Sequence, residues 1–206
     1  MSGALERRHW GAGRSLLDGD EARDRLLDAA VRCIVARGGT QIRMGEVADE
    51  AGVVRSTVYR YFPNRDDLLL ALILRRVDQA CSRWIGSLRK PGDAARSIRE
   101  LVLAPVSAVD SGDPVNLALY GPESAPLAPV LDAGADAITD VVAAQLKPLF
   151  AQWKADGQLY SDLDLRETVQ WMSATTSFLL TPHWRARPAS AKRRFVDRYL
   201  LRALIV

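Results

Sequence analysis

Cysteine is nearly absent from this chain: two in 206 residues, Cys33 and Cys81. Neither has a second Cys or a His at metal-ligand spacing. That excludes a disulfide framework or a zinc site as the organising device and fits a reducing cytoplasm. Histidine is equally scarce, with only His9 and His183, so Ser/His/Asp or Cys/His catalysis has little to draw on. No Gly-rich phosphate loop stands out. Asp132, Asp136 and Asp140 follow one another at i, i+4 and i+8, but no His joins them, and a solvated acidic stripe is the expectation. Neither metal nor cofactor is expected. Long apolar runs are also missing. The longest, Leu68 to Leu74, is far short of the ~18–20 residues of a membrane span, so no membrane partner is expected. Residues 1–20 lack the apolar stretch of a secretory signal. Lysine occurs only at 90, 147, 154 and 192, and the net charge is +3. That excess is too small to imply a nucleic-acid partner, so any such partner must be read from local charge.

The bulk composition, 48% hydrophobic and 26% charged, is that of an ordinary soluble globular protein of one or two small domains. Strand-like alternation is absent and helix-period stripes recur. Leu26, Leu27, Ala30, Cys33 and Ile34 share one face of a helix over 21–37, closed by Gly38-Gly39. Short helices are expected at 44–51 and 54–61 with Gly52 between them. Asn64 then caps a long helix to about Leu88, with Asp66 and Asp67 in its first turn. Further helices are expected at 93–109, 114–120, 126–155, 164–181 and 189–204, with Pro105 and Pro148 inside two of them. Residues 1–19, with Arg7, Arg8 and Arg14, lack periodicity and read as a flexible arm. Its arginines could enter a minor groove or have no role.

Residues 44–63 read MGEVADEAGVVRSTVYRYFP. Ala48 is small where two helices cross, Gly52 permits the positive φ of a tight turn, and Val58 packs back onto the first helix. This is the pattern of a helix-turn-helix, although a plain αα-hairpin could use the same residues. Charge separates the two readings. Between Gly52 and Arg65 the charged residues are Arg55, Arg60 and Arg65, with no acid, whereas the first helix carries Glu46, Asp49 and Glu50. Ser56, Thr57 and Tyr59 interleave with the arginines and can donate to phosphate or base edges.

Residues 21–70 resemble the DNA-binding region of TetR-type transcriptional repressors. The matching pieces are Ala29-Ala30, Val47-Ala48, Ala51-Gly52-Val53, Thr57-Val58-Tyr59, Tyr61-Phe62-Pro63 and Asn64 to Leu69. Farther on, Asp156-Gly157-Gln158-Leu159 and Asp162-Leu163-Asp164 also fit. The resemblance implies an all-α protein: a three-helix helix-turn-helix head over 20–65, and a larger helical bundle over 66–206 for ligand binding and homodimerisation. It implies that Arg55, Ser56, Thr57 and Arg60 face the major groove. Tyr59 and Arg65 would contact phosphate, Arg43 would reach it, Asn64 would lie in the same interface, and Phe62 would lock the recognition helix. Arg43 and Val54 depart from the pattern, since neither side chain can cap a helix start by accepting amide bonds. Gly39 replaces a frequent aromatic.

In the body, Tyr120, Phe150, Trp153, Trp171 and Phe178 are the candidate walls of an effector pocket for a small, largely apolar molecule, though aromatics also simply fill cores. Phe195 and Tyr199 form one helical row and Val196 and Leu200 an adjacent one. These four, with part of the Trp171/Phe178 face, are the candidate dimer interface. The expected function is a cytoplasmic repressor released from a palindromic double-stranded operator by its ligand. Two alternatives stand beside it: a dimeric regulator whose body binds a protein partner, and an all-α enzyme with an appended DNA-binding head.

Overall fold

The computed structural model describes residues 19–87 and 92–206, apart from the side chains of residues 122, 123 and 125. The described residues are helical, with one isolated antiparallel bridge between Leu159 and Ile205. The arm expected at 1–19 lies outside them save for Gly19, which already begins a helix. That helix, α1 (Gly19–Arg37), buries Leu26, Leu27, Ala29, Ala30 and Ile34. It stops at Gly38, φ +71°, where the Gly38 N–H reaches the Ile34 carbonyl at 2.9 Å. The head continues with α2 (Met44–Ala51) and α3 (Arg55–Tyr61). The long α4 (Arg65–Ser87) then carries the chain into the body.

Two hydrophobic cores form. The first holds α1–α3 and the head-side half of α4, where Leu68, Leu69, Leu72 and Ile73 are fully buried. It extends into the body through Val115, Ala118 and Leu119 of α6 (Pro114–Tyr120), Leu127, and Val130 of α7 (Ala128–Ala133). Packing is therefore continuous across residues 65–66. Arg75 of α4 reinforces it by reaching Asp24 and Asp28 of α1 at 3.2 and 2.8 Å. The second core belongs to α5 (Ala94–Asp110), α8 (Ala135–Ala155), α9 (Leu165–Leu179) and the C-terminal rod.

The single helix expected over 126–155 is broken. A 3₁₀ turn (Pro122–Leu127) and α7 precede Gly134, and α8 starts after it. At the break the Leu70 side chain of α4 fills the space that a side chain at 134 would need, so the position takes glycine. Pro105 and Pro148 do lie inside α5 and α8. A short α10 (Pro182–Arg185) follows α9. The expected C-terminal helix then runs as α11 (Ala189–Phe195), a π-helical stretch (Val196–Leu201) and α12 (Arg202–Leu204). The Trp153 indole donates to the Gly92 carbonyl at 3.0 Å, and Gln158 Oε1 accepts from the Ala94 N–H at 2.7 Å. The Val206 N–H donates to the Gln158 carbonyl at 3.2 Å. These bonds tie the start of α5, the turn after α8 and the end of the chain together. No described helix is long and apolar enough to cross a membrane.

Candidate nucleic-acid interface

The turn between α2 and α3 is built as the spacing predicts. Gly52 has φ +70° and ψ 31°, and the Val53 N–H reaches the Ala48 carbonyl at 2.9 Å. Val47, Ala48 and Val58 are fully buried between the two helices, and Phe62 closes the core beneath α3. Val54 has the extended backbone of an N-cap but offers no acceptor. At the start of α2, Glu46 accepts from the Arg43 N–H at 3.0 Å. Only this half of a capping box exists, because arginine has no acceptor to return it.

Acids and bases divide between α2, which carries Glu46, Asp49 and Glu50, and α3, which carries Arg55 and Arg60. Glu46 and Glu50 of α2 are ion-paired with Arg37 and Arg32 of α1. Arg60 of α3 instead leans on Tyr61, its guanidinium 5.1 Å from the ring centroid. Arg55 lies over Gly45, and a Cβ there would come within 2.7 Å of the guanidinium. The starts of α2 and α3 are thus adjacent. Arg43, Arg55, Ser56, Tyr59 and Arg60 are exposed and Thr57 is half-buried. Two expected contact residues are occupied internally. Asn64 caps α4, accepting from the Asp67 N–H at 2.9 Å and donating to the Asp67 carboxylate at 2.9 Å. Arg65 donates to Gln41 at 2.8 Å and to Asp66 at 3.0 Å. Gln41 and Gly45 were not singled out from the sequence. Nothing local marks Gln41, whereas a glycine one residue inside α2 is a readable sign of close approach.

In the body, the five candidate pocket aromatics do not converge. Tyr120 packs on the first core, where burial raises its phenol pKa against an opposing effect from Arg76. Phe150 and Trp153, three apart on α8, both point into the second core. Trp171 and Phe178 sit on the outer face of α9, 54% and 43% exposed. The dimer candidates divide as well. Val196 and Leu200 are buried in the second core, which corrects their assignment to the interface. Periodicity separated the two rows of the last helix correctly but did not say which row the core takes. The other row is outward: Tyr199 is exposed and Phe195 half-buried. With Phe178 and Trp184 they form a run of rings at centroid distances of 5.3, 4.6 and 4.9 Å. The acidic ridge of α8 has a cation: Arg166 of α9 pairs with both Asp136 and Asp140. Among the described residues no group of three His, Cys, Asp or Glu is placed to hold a metal.

Comparison with known proteins agrees with this geometry. Residues 26–72 match the family described as bacterial regulatory proteins, tetR family. The chain is 37% identical over 101 residues to the transcriptional activator FasR of Mycolicibacterium smegmatis, covering 48% of this chain and 46% of that one. It is 28% identical over 168 residues to the transcriptional repressor KstR of Rhodococcus jostii, covering 76% of each chain. The match thus spans about half the length of FasR and three quarters of KstR. Among solved structures, FadR of Thermus thermophilus, described as a TetR-family repressor in complex with lauroyl-CoA, superposes with a TM-score of 0.58 at 22% identity, over 89% of this chain and 95% of that one. The head's turn geometry and the family match agree on one segment: residues 26–72 match the tetR family of bacterial regulatory proteins, and the chain shares the all-helical fold of the solved structure.

Proposed function

We propose that this chain is a sequence-specific DNA-binding transcriptional repressor that acts as a homodimer and is released from its operator by a small, largely apolar effector. The observation that carries the reading is the sorting of charge in the head. The acids of α2 face arginines of α1, while α3 presents Arg55, Arg60, Ser56 and Tyr59 with no acid in its length. Arginines there suit guanine edges and phosphates, and the hydroxyls suit phosphate oxygens. One short helix reads only a few base pairs, so two heads on a two-fold axis are needed for genomic specificity. The exposed Trp171, Phe178 and Tyr199 supply the apolar self-complementary face for such an axis.

Regulation requires no chemical step on this reading. Operator and effector select different spacings of the heads, and a coupling of ~1–3 kcal/mol changes occupancy about 5–150-fold. The continuity of the first core from α1 to α7 means that the head and α6–α7 move together. The test is selection of bound duplexes from a random pool with the full chain, followed by footprinting. A two-fold symmetric site with half-sites roughly 34–36 Å apart is expected. Recovery of no enriched sequence would overturn the reading.

A further inference from the structure

A charged groove lies along the seam of α5 and α11, with a volume of about 520 Å³. That is within the usual range for small-ligand sites, roughly 300–1,000 Å³. Its wall includes Leu103, Val106 and Ala189, and its charged lining consists of Arg96, Arg99, Lys192 and Arg193 against Glu100 and Asp110. The cations exceed the acids by two. Three of these cations have internal carboxylates: Arg96 holds Glu100 at 2.8 Å, Arg99 is drawn to Asp197 at 2.5 Å and Lys192 reaches Asp110 at 3.3 Å, while Arg193 is in no ion pair among the described residues.

Lys192 is the unusual member. It is 3% exposed, in a position where lysine is almost never found unless paired. An ammonium has three donors. The partner of Lys192 is one Asp110 oxygen at 3.3 Å, from a carboxylate that is itself half exposed to water. A buried cation held this loosely has capacity for a second anion, and charge-assisted bonds to carboxylate or phosphate are the strong kind.

We propose that the α5–α11 seam binds an amphiphilic anion, with its carboxylate or phosphate on Lys192 and Arg193 and its short apolar portion along Leu103 and Val106. Asp110 is then the internal anion that occupies Lys192 when the ligand is absent. The groove and the aromatic row lie on opposite flanks of the last helix. Arg193 and Asp197 border α5, Phe195 and Tyr199 face outward, and Val196 and Leu200 are buried between them. An occupant would therefore act on the helix that carries the candidate dimer face. In this role the site deepens the regulator reading and rests on it.

Calorimetric titration of the full chain without DNA tests the site. The probes are octyl phosphate, octanoate, octanol and inorganic phosphate. Both amphiphilic anions are expected to bind at least tenfold more tightly than octanol or inorganic phosphate, and the tighter of the two identifies the headgroup. Lys192→Met should weaken that binding at least tenfold. Asp110→Asn, which removes the internal competitor, should strengthen it several-fold, and the exposed Arg202→Ala should leave it unchanged. If Lys192→Met fails to fold, Asp110→Asn and the exposed Arg193→Ala must still shift affinity in opposite directions. Anions that bind no better than octanol, or Asp110→Asn and Arg193→Ala without effect, would overturn the site. A second titration with the selected duplex separates the two readings. Anion binding that leaves DNA occupancy unchanged would overturn the effector role of the groove, whereas failure of the ligand-free chain to bind DNA would overturn the regulator reading alone.

Discussion

Leu70, in the helix that leaves the head, occupies the space in which any side chain at Gly134 would stand. This contact seats the connecting helix on the α7–α8 junction. Gly134→Val should overpack the junction and cost about 1–3 kcal/mol, read as a lower thermal midpoint. Leu70→Ala in the same chain should recover part of the loss, because the two residues share one volume. Additive losses in the double variant would contradict the contact.

The head was legible from the sequence almost residue by residue. Gly38 and Gly52 both have the positive φ that their turns require, and α2 spans the expected 44–51. Local chemistry decides such features. The body was legible in helix content but not in its facing. The helix breaks at Gly134, where Leu70, 64 positions away, leaves no room for a side chain, and an isolated glycine in a helical pattern carries no such message. Phe150 and Trp153 turned out to be core and Trp171 surface, although all are large aromatics on helices. Hydrophobicity alone does not say which apolar face meets the core and which is left for a partner.

Gly52 has nothing within 4 Å of the position a Cβ would take. Any cost of substitution there is conformational rather than steric packing. Left-handed backbone costs a non-glycine residue roughly 1–2 kcal/mol, and more for a β-branched one. Gly52→Val should therefore abolish DNA binding while circular dichroism and sedimentation report an intact, unchanged body. Gly52→Asn, which tolerates this region, should retain most of the binding. Wild-type affinity in the valine variant would refute the turn's role.

The two rows of the last helix should respond differently to charge. Tyr199→Glu places two carboxylates near the same two-fold axis on an exposed face, so a folded monomer with weakened operator binding is expected from sedimentation at micromolar concentration. Leu200 is 1% exposed, so Leu200→Glu buries an unpaired charge and should unfold the body itself, at a cost of several kcal/mol. A dimeric Tyr199→Glu variant would move the interface elsewhere.

Burial, with a smaller contribution from Asp78, pushes the Cys81 thiol up to about 11 from an ordinary value of 9.0. The folded chain therefore keeps this proton where the unfolded chain releases it. The resulting stability is complete below pH 9 and is lost as pH rises from 9 towards about 11. Denaturant midpoints across this window should fall more steeply for the wild type than for Cys81→Ala. At pH 8 the native thiol should be alkylated far more slowly than the unfolded one. Parallel midpoint curves would contradict the shift.

The central claim is that α3 reads DNA through an acid-free basic face, and competition anisotropy addresses it most directly. A labelled duplex carrying the selected site is displaced by unlabelled specific or scrambled duplex at several salt concentrations, for the wild type and Arg55→Ala. The wild type should prefer the specific duplex by about 10³ or more and show a steep loss of affinity with salt. Arg55→Ala should lose about 1–3 kcal/mol of that preference, as expected for an arginine on a guanine edge. Equal displacement by both duplexes, or full discrimination in Arg55→Ala together with an unchanged salt slope, would contradict the claim.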